Sequence, residues 1–205
     1  TINSIGEIGA LCKSNGITFH SDAAQSFMKV DIDVDALNVD VMSFSGHKIG
    51  GPKGIGAVYI RDLRNRPLTP VIHGAGQEAG VRGGTVATPL VLGFGSAIEH
   101  FPRYYSEFKR VEAREFLCDE LKMHGVEYKI NGSSASLPSC LSLSLPATHV
   151  AQLIRENELS FCLAQGSACS SKEIEASHVL TTIGLSREEA DKTLRISFPV
   201  DVTKE

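Results

Sequence analysis

The sequence predicts an α/β domain followed by a smaller α+β domain, with the change of character near residue 100. Two observations carry the first half. Helix, stop and short strand follow one another from residue 2 and the pattern recurs, which is the grammar of a mostly parallel sheet. Glycine-rich segments then stand where loops leave the strands. A third observation carries the second half, where short helix and strand patterns alternate around single apolar faces.

The elements follow in order. Ile2, Ile5, Ile8 and Leu11 recur near the helical period, Ser4 with Glu7 has the form of a capping box, and Asn15-Gly16 is a helix stop. Residues 17–20 read as a short strand, 30–39 as irregular or helical, and 40–44 as a second strand. Ser45-Gly46-His47-Lys48 comes next, then the run GGPKGIG over 50–56, then a strand over 57–60. Residues 73–85 (HGAGQEAGVRGGT) hold little that builds a core and read as an exposed functional loop. Residues 89–100 form a helix of the same domain.

The second half opens on a long amphipathic helix over 103–124, ended by Gly125. A strand over 126–130 closes on Asn131-Gly132. Leu141, Leu143 and Leu145 alternate with serines, which predicts a half-buried strand. A helix over 148–157, a strand over 159–163 and a final strand over 194–198 complete the pattern. Ser170 with Glu173 and Ser186 with Glu189 have the form of capping boxes for the last two helices.

The 205 residues suffice for one large domain or two small ones. A net charge of -4 without a basic run gives no footprint for nucleic acid, and no apolar stretch is long enough to span a bilayer as a helix. Five cysteines, widely spread and without CxxC pairs, argue against a disulfide framework or a structural zinc site and for a reducing compartment. Cys12, Cys118, Cys140 and Cys162 lie in apolar patterns and read as core.

Three clusters carry chemistry. Asp22 with Gln25 follows a predicted strand end, where ligands of open parallel sheets bind. Taken alone, Asp22 reads as the cap of a turn; with a ligand present, its carboxylate suits a cationic ring nitrogen. In Ser45-Gly46-His47-Lys48, serine and histidine suit a phosphate and the lysine suits imine formation, against the plainer reading of a solvated loop lysine. Cys169 stands in Gly166-Ser167-Ala168-Cys169-Ser170, a run of small residues ahead of a capped helix, which leaves a thiol reachable and favours the thiolate.

FHSDAAQS, MSFSGHKIGGPKGIGAVYI, RGGT, GSACSS and LRISF occur in the order and approximate spacing of cysteine desulfurases of the NifS/IscS type. The chain resembles this group, which belongs to the class V aminotransferases, pyridoxal 5'-phosphate (PLP) enzymes of fold type I, and the resemblance covers essentially the whole length. It implies that 1–100 is the C-terminal part of a PLP-binding large domain and 101–205 a small α+β domain carrying the catalytic cysteine loop. Lys48 would hold PLP through its amine and shuttle the substrate α-proton. Asp22 would pair with the pyridine nitrogen, Gln25 with the phenolic oxygen, and Ser45 and His47 with the phosphate. Thr85 would reach the phosphate of the partner subunit in a homodimer. Arg195 would clamp the substrate carboxylate, a task for a planar guanidinium, although an arginine at a strand edge also reads as simply solvated.

Cys169 would take sulfur from L-cysteine, leaving alanine, and pass the resulting persulfide to an acceptor in iron–sulfur cluster assembly or tRNA thiolation. Family members are about twice this length, so the resemblance implies an N-terminal half that completes the PLP pocket; in the family an acceptor-binding tail often follows the last strand. The expected compartment is the cytoplasm or the mitochondrial matrix. Two other readings stand beside this one: a selenocysteine lyase or another class V PLP enzyme, and a catalytically silent subunit that docks a sulfur carrier. The thiol at Cys169 separates the first, since aminotransferases need none. The joint presence of Lys48, Asp22, His47 and Cys169 argues against the second.

Overall fold

A computed structural model describes residues 1–65, 68–105, 107–133, 135–161, 163–165 and 177–199. The chain divides into two units, Asn3–Tyr105 and Thr1–Ile2 with Ser106–Glu205.

In the first unit, helix α1 (Ile5–Ser14) ends at Asn15, and Gly16 turns the chain at φ +64°. The expected capping box at its start does not form. Ser4 lies at ψ 64°, outside the extended region an N-cap requires, and its side chain caps nothing. The first strand falls later than the apolar run suggested: β1 is His20–Asp22. Phe19 is tied to Asp40 instead, donating its N–H to the carboxylate at 2.9 Å and accepting from the Asp40 N–H at 3.0 Å.

Strand β2 (Val41–Ser45) runs parallel to β1 with Asp22 opposite Ser43, and β3 (Gly56–Ile60) joins β2 antiparallel, Ser45 opposite Gly56. Their buried face packs Ala23, Val39 and Met42 with Ile5, Phe19, Leu37 and Phe44. Phe27 sits 4.6 Å from the Phe44 ring and 6.2 Å from Phe94. Phe94 belongs to α2 (Thr88–Tyr104).

The second unit begins with α3 (Glu107–Met123). The long helix read over 103–124 is therefore two helices, because Tyr105 takes an extended conformation at ψ 118°. Strands β4 (Lys129–Ile130), β5 (Cys140–Ser144) and β6 (Thr193–Ser197) form an antiparallel sheet in that order. Leu141, Leu143, Leu145, Val150, Cys118 and Leu194 form its core. The serine face of β5 is not simply solvated. Ser144 is buried and stands 3.0 Å from the Thr193 hydroxyl, which donates to the Glu189 carbonyl at 2.8 Å. Since the Thr193 proton is spent there, Ser144 accepts from the Asn131 amide at 2.9 Å and its own proton has two acceptors, the Thr193 hydroxyl and the Asn131 Oδ1 at 3.2 Å.

Helices α4 (Val150–Glu156), α5 (His178–Thr182) and α6 (Arg187–Asp191) complete the unit. The capping box at Ser186 and Glu189 forms in both directions. Among the described residues of 159–163 no strand forms: Leu159 and Phe161 stand outside the core at 99% and 61% exposure, and Ala164 just beyond pairs with Arg195. Cys118 is buried as expected, but Cys140 is exposed on β5, and Cys162 lies outside the described residues. Among the described residues, no helix is long and apolar enough to cross a membrane.

Candidate active site

The alternation of β2, Val-Met-Ser-Phe-Ser, sends Met42 and Phe44 to the core and Ser43 and Ser45 to the other face. His20 and Asp22 of β1 share that second face, since Asp22 is in register with Ser43. The His20 Nε2 lies 3.3 Å from the Ser43 hydroxyl. Parallel strands end together, so the carboxyl ends of β1 and β2 bring Asp22 and Ser45 to one edge of the first unit. Ligands of open α/β sheets bind at such an edge.

Asp22 is exposed, and its Oδ1 accepts the Ala24 N–H at 2.7 Å. This is the turn cap that the sequence allowed, and it leaves Oδ2 without a partner among the described residues. Gln25, in the turn that follows, is exposed and accepts from the Lys29 ammonium at 3.4 Å. At the end of β2, the Ser45 hydroxyl and His47 Nδ1 are 2.9 Å apart. Residues Gly46–Ile49 form a single 3-10 turn, which carries His47 and Lys48. Lys48 is half-buried, and its ammonium has no hydrogen-bond or ion-pair partner among the described residues.

The turn is held from both sides. Gly46 donates its N–H to the Ile55 carbonyl at 3.1 Å, and Gly51 donates to the Gly46 carbonyl at 2.9 Å. Gly50 lies at φ +80°, and a Cβ on Gly51 would stand 2.8 Å from the Gly46 oxygen. The run GGPKGIG is thus a backbone requirement of the turn that bears the lysine.

The other expected residues lie on other elements. Thr85 is exposed at the end of the 73–85 loop of the first unit. Arg195 lies in β6 of the second unit, opposite Ser142, and exchanges backbone hydrogen bonds with Ala164. Arg195 is half-buried, and its Nε is buried with no hydrogen-bond partner among the described residues. Cys169 and the Ser170–Glu173 pair lie outside the described residues. His20 and Ser43 were not singled out in the sequence; the two-residue spacing His-x-Asp against Ser-x-Ser was the available signal.

The chain is similar to known proteins along its whole length. It is 40% identical to the mitosomal cysteine desulfurase of Encephalitozoon cuniculi over 202 residues, which are 97% of this chain and 46% of that protein. It is 39% identical to the cysteine desulfurase IscS of Ehrlichia chaffeensis, with 100% of this chain and 50% of that protein covered. Among solved structures, SspA in complex with cysteine is 43% identical, with a TM-score of 0.80 over 97% of this chain and 55% of that one. The NifS-like protein of Rickettsia africae is 32% identical, with a TM-score of 0.81 over 97% and 53%. The chain thus spans about half the length of the curated relatives it matches.

These proteins are PLP enzymes of fold type I. The donor set at this strand edge fits that cofactor: the Lys48 amine for its aldehyde, a hydroxyl and an imidazole for its phosphate, and a carboxylate oxygen without a partner among the described residues for its ring nitrogen. The class V aminotransferase model matches residues 1–205, and the chain belongs to that family.

Proposed function

We propose that this chain is the cofactor-holding and sulfur-accepting part of a cysteine desulfurase. The observation that carries the proposal is Lys48, an amine without a partner among the described residues on a glycine-locked turn, beside the Ser45–His47 pair and on the strand edge shared with Asp22. When bound, PLP supplies an electron sink for the carbon next to the substrate amine.

The residues divide the remaining work. Lys48 binds the cofactor through its ε-amine and moves the substrate α-proton at that same nitrogen. Asp22 would pair with the protonated ring nitrogen, its carboxylate fixed by the Ala24 N–H on Oδ1. Gln25 donates to the phenolic oxygen. Ser45 orients the His47 ring through Nδ1, and both act on the phosphate. Thr85 reaches the phosphate bound by a second copy of the protein. The Nε of Arg195, buried and without a partner among the described residues, suits a carboxylate, which a guanidinium takes with two parallel hydrogen bonds. The Cys169 thiolate forms a sulfur–sulfur bond as the substrate carbon–sulfur bond breaks. The electron pair stays on carbon, which takes a proton to give alanine, and the persulfide passes to an acceptor protein.

Relatives named as cysteine desulfurases and the cysteine complex of SspA support L-cysteine as substrate over selenocysteine. Relatives from mitosomes and bacteria support the cytoplasm or a mitochondrion-derived compartment as the location. The ring-stacking part of the pocket is assigned to a further segment of similar length, so residues 1–205 alone are expected to hold PLP weakly. Borohydride reduction of the PLP-loaded protein followed by peptide mapping tests the central role. A pyridoxyl label on Lys48 is expected; a label on Lys29 or Lys53 instead would refute it.

A further inference from the structure

The 73–85 loop contains the most unusual backbone of the first unit. Glu78, Ala79 and Gly80 lie in the left-handed region in succession, at φ +52°, +55° and +82°. Side chains rarely adopt this conformation, and two non-glycine residues in a row hold it here. The Gly80 N–H bonds the Gly76 and Gln77 carbonyls at 3.2 and 2.9 Å, and the Val81 N–H bonds the Glu78 carbonyl at 3.1 Å.

No apolar core supports the turn, since residues 73–80 are exposed apart from half-buried Gln77. Two other contacts close the loop. Its arms cross at Gly74 and Gly83, where a Cβ on Gly83 would stand 2.4 Å from the Gly74 nitrogen, and Gly83 donates to the Ile72 carbonyl at 2.7 Å. Beyond the crossing, the Gln77 Oε1 accepts the Gly84 N–H at 3.1 Å. That bond spans the left-handed turn and ends on the residue before Thr85.

We infer that Gln77 is a positioning residue for Thr85: its side chain clamps the Gly84 amide so that the strained loop presents the threonine hydroxyl in one place. The inference rests on the reading of Thr85 as a phosphate contact given above. A strained loop conformation persists only where its surroundings over-determine it, and preorganising a binding group is the use such strain serves. The role needs an acceptor and not an amide. Gln77→Glu keeps the acceptor, whereas Gln77→Met keeps the shape and removes it.

The test uses the intact PLP-loaded protein and reads the rate of PLP release into apo-acceptor by absorbance, with thermal unfolding measured alongside. Thr85→Ala is expected to speed release about tenfold and Gln77→Met about fivefold. Gln77→Glu should release at close to the wild-type rate. Because Gln77 acts through Thr85, the double variant Gln77→Met/Thr85→Ala should release no faster than Thr85→Ala alone. Multiplying effects in the double variant overturn the inference, and so does a Gln77→Met protein that releases at the wild-type rate while Thr85→Ala is fast. Rapid release from Gln77→Glu at an unchanged melting temperature also overturns it. A Thr85→Ala protein that keeps PLP as wild type does removes the reading of Thr85 itself, and the inference with it.

Discussion

Gly51→Ala tests whether the lysine turn is built by backbone contact. A Cβ at this position would lie 2.8 Å from the Gly46 oxygen, 3.2 Å from its carbonyl carbon and 3.3 Å from the Ala97 Cβ. The nearest neighbour is backbone, so no rotamer change relieves it. Ordinary contact begins at 3.4 Å, so the two segments must part by about 0.6 Å. The same movement strains the hydrogen bond from Gly51 to Gly46. Overpacking of this kind costs about 1–3 kcal/mol, and the weakened hydrogen bond adds about 1 kcal/mol at most. Gly95→Ala is the matched control. Gly95 lies in α2 with nothing near its would-be Cβ, so alanine there should gain about 0.5–1 kcal/mol. Urea unfolding followed by circular dichroism reads both, and PLP absorbance reads the site. Gly51→Ala should lose stability and hold PLP less well, while Gly95→Ala gains stability and binds as before. Equal stability and equal binding for Gly51→Ala would show that the turn does not depend on this contact.

Three further predictions concern other parts of the fold. Thr193→Val removes one hydrogen-bond partner of the buried Ser144 hydroxyl, which keeps the Asn131 side chain, and it takes the Thr193 donor away from the Glu189 carbonyl. It should cost about 0.5–1.5 kcal/mol in urea unfolding, the net worth of an ordinary hydrogen bond, whereas an unchanged midpoint would show that the Ser144–Thr193 contact adds nothing. The Glu189 carboxyl is held below the ordinary 4.5, first by the Ser186 backbone N–H and then by its side chain. A lowered carboxylate pKa gives stability present above 4.5 that is lost as pH falls through the folded value; Glu189→Gln should flatten that acid limb while keeping the cap, and pH-dependent thermal unfolding checks it. Ser45→Ala frees the His47 ring and should weaken PLP binding about fivefold in an absorbance titration, with little change in melting temperature.

The sequence was readable where one residue carries one local requirement. Asn15-Gly16 ends α1, Ser186 and Glu189 cap α6, and the Ser-Gly-His-Lys segment sits at a strand end. It was misleading where a distant partner decided. Asp40 captures Phe19 across 21 residues and moves β1 to His20–Asp22. Leu159 and Phe161 have strand-forming side chains, but among the described residues of 159–163 no backbone ladder forms. Ser4 has the right residue type and the wrong backbone. Of the candidate site, the sequence named Asp22, Gln25, Ser45, His47 and Lys48, which the strand pair brings to one edge. It did not show the Gln77 clamp, which depends on a loop crossing at two glycines.

The central claim is that Lys48 holds the cofactor and Cys169 takes the sulfur. The direct measurement is alanine and sulfide release from L-cysteine by the intact protein, wild type against Lys48→Ala and Cys169→Ala, with PLP absorbance recorded on each. Both substitutions should abolish turnover, and only Lys48→Ala should remove the absorbance of lysine-bound PLP. Turnover of L-cysteine by Cys169→Ala at the wild-type rate would contradict it and favour a lyase that needs no thiol.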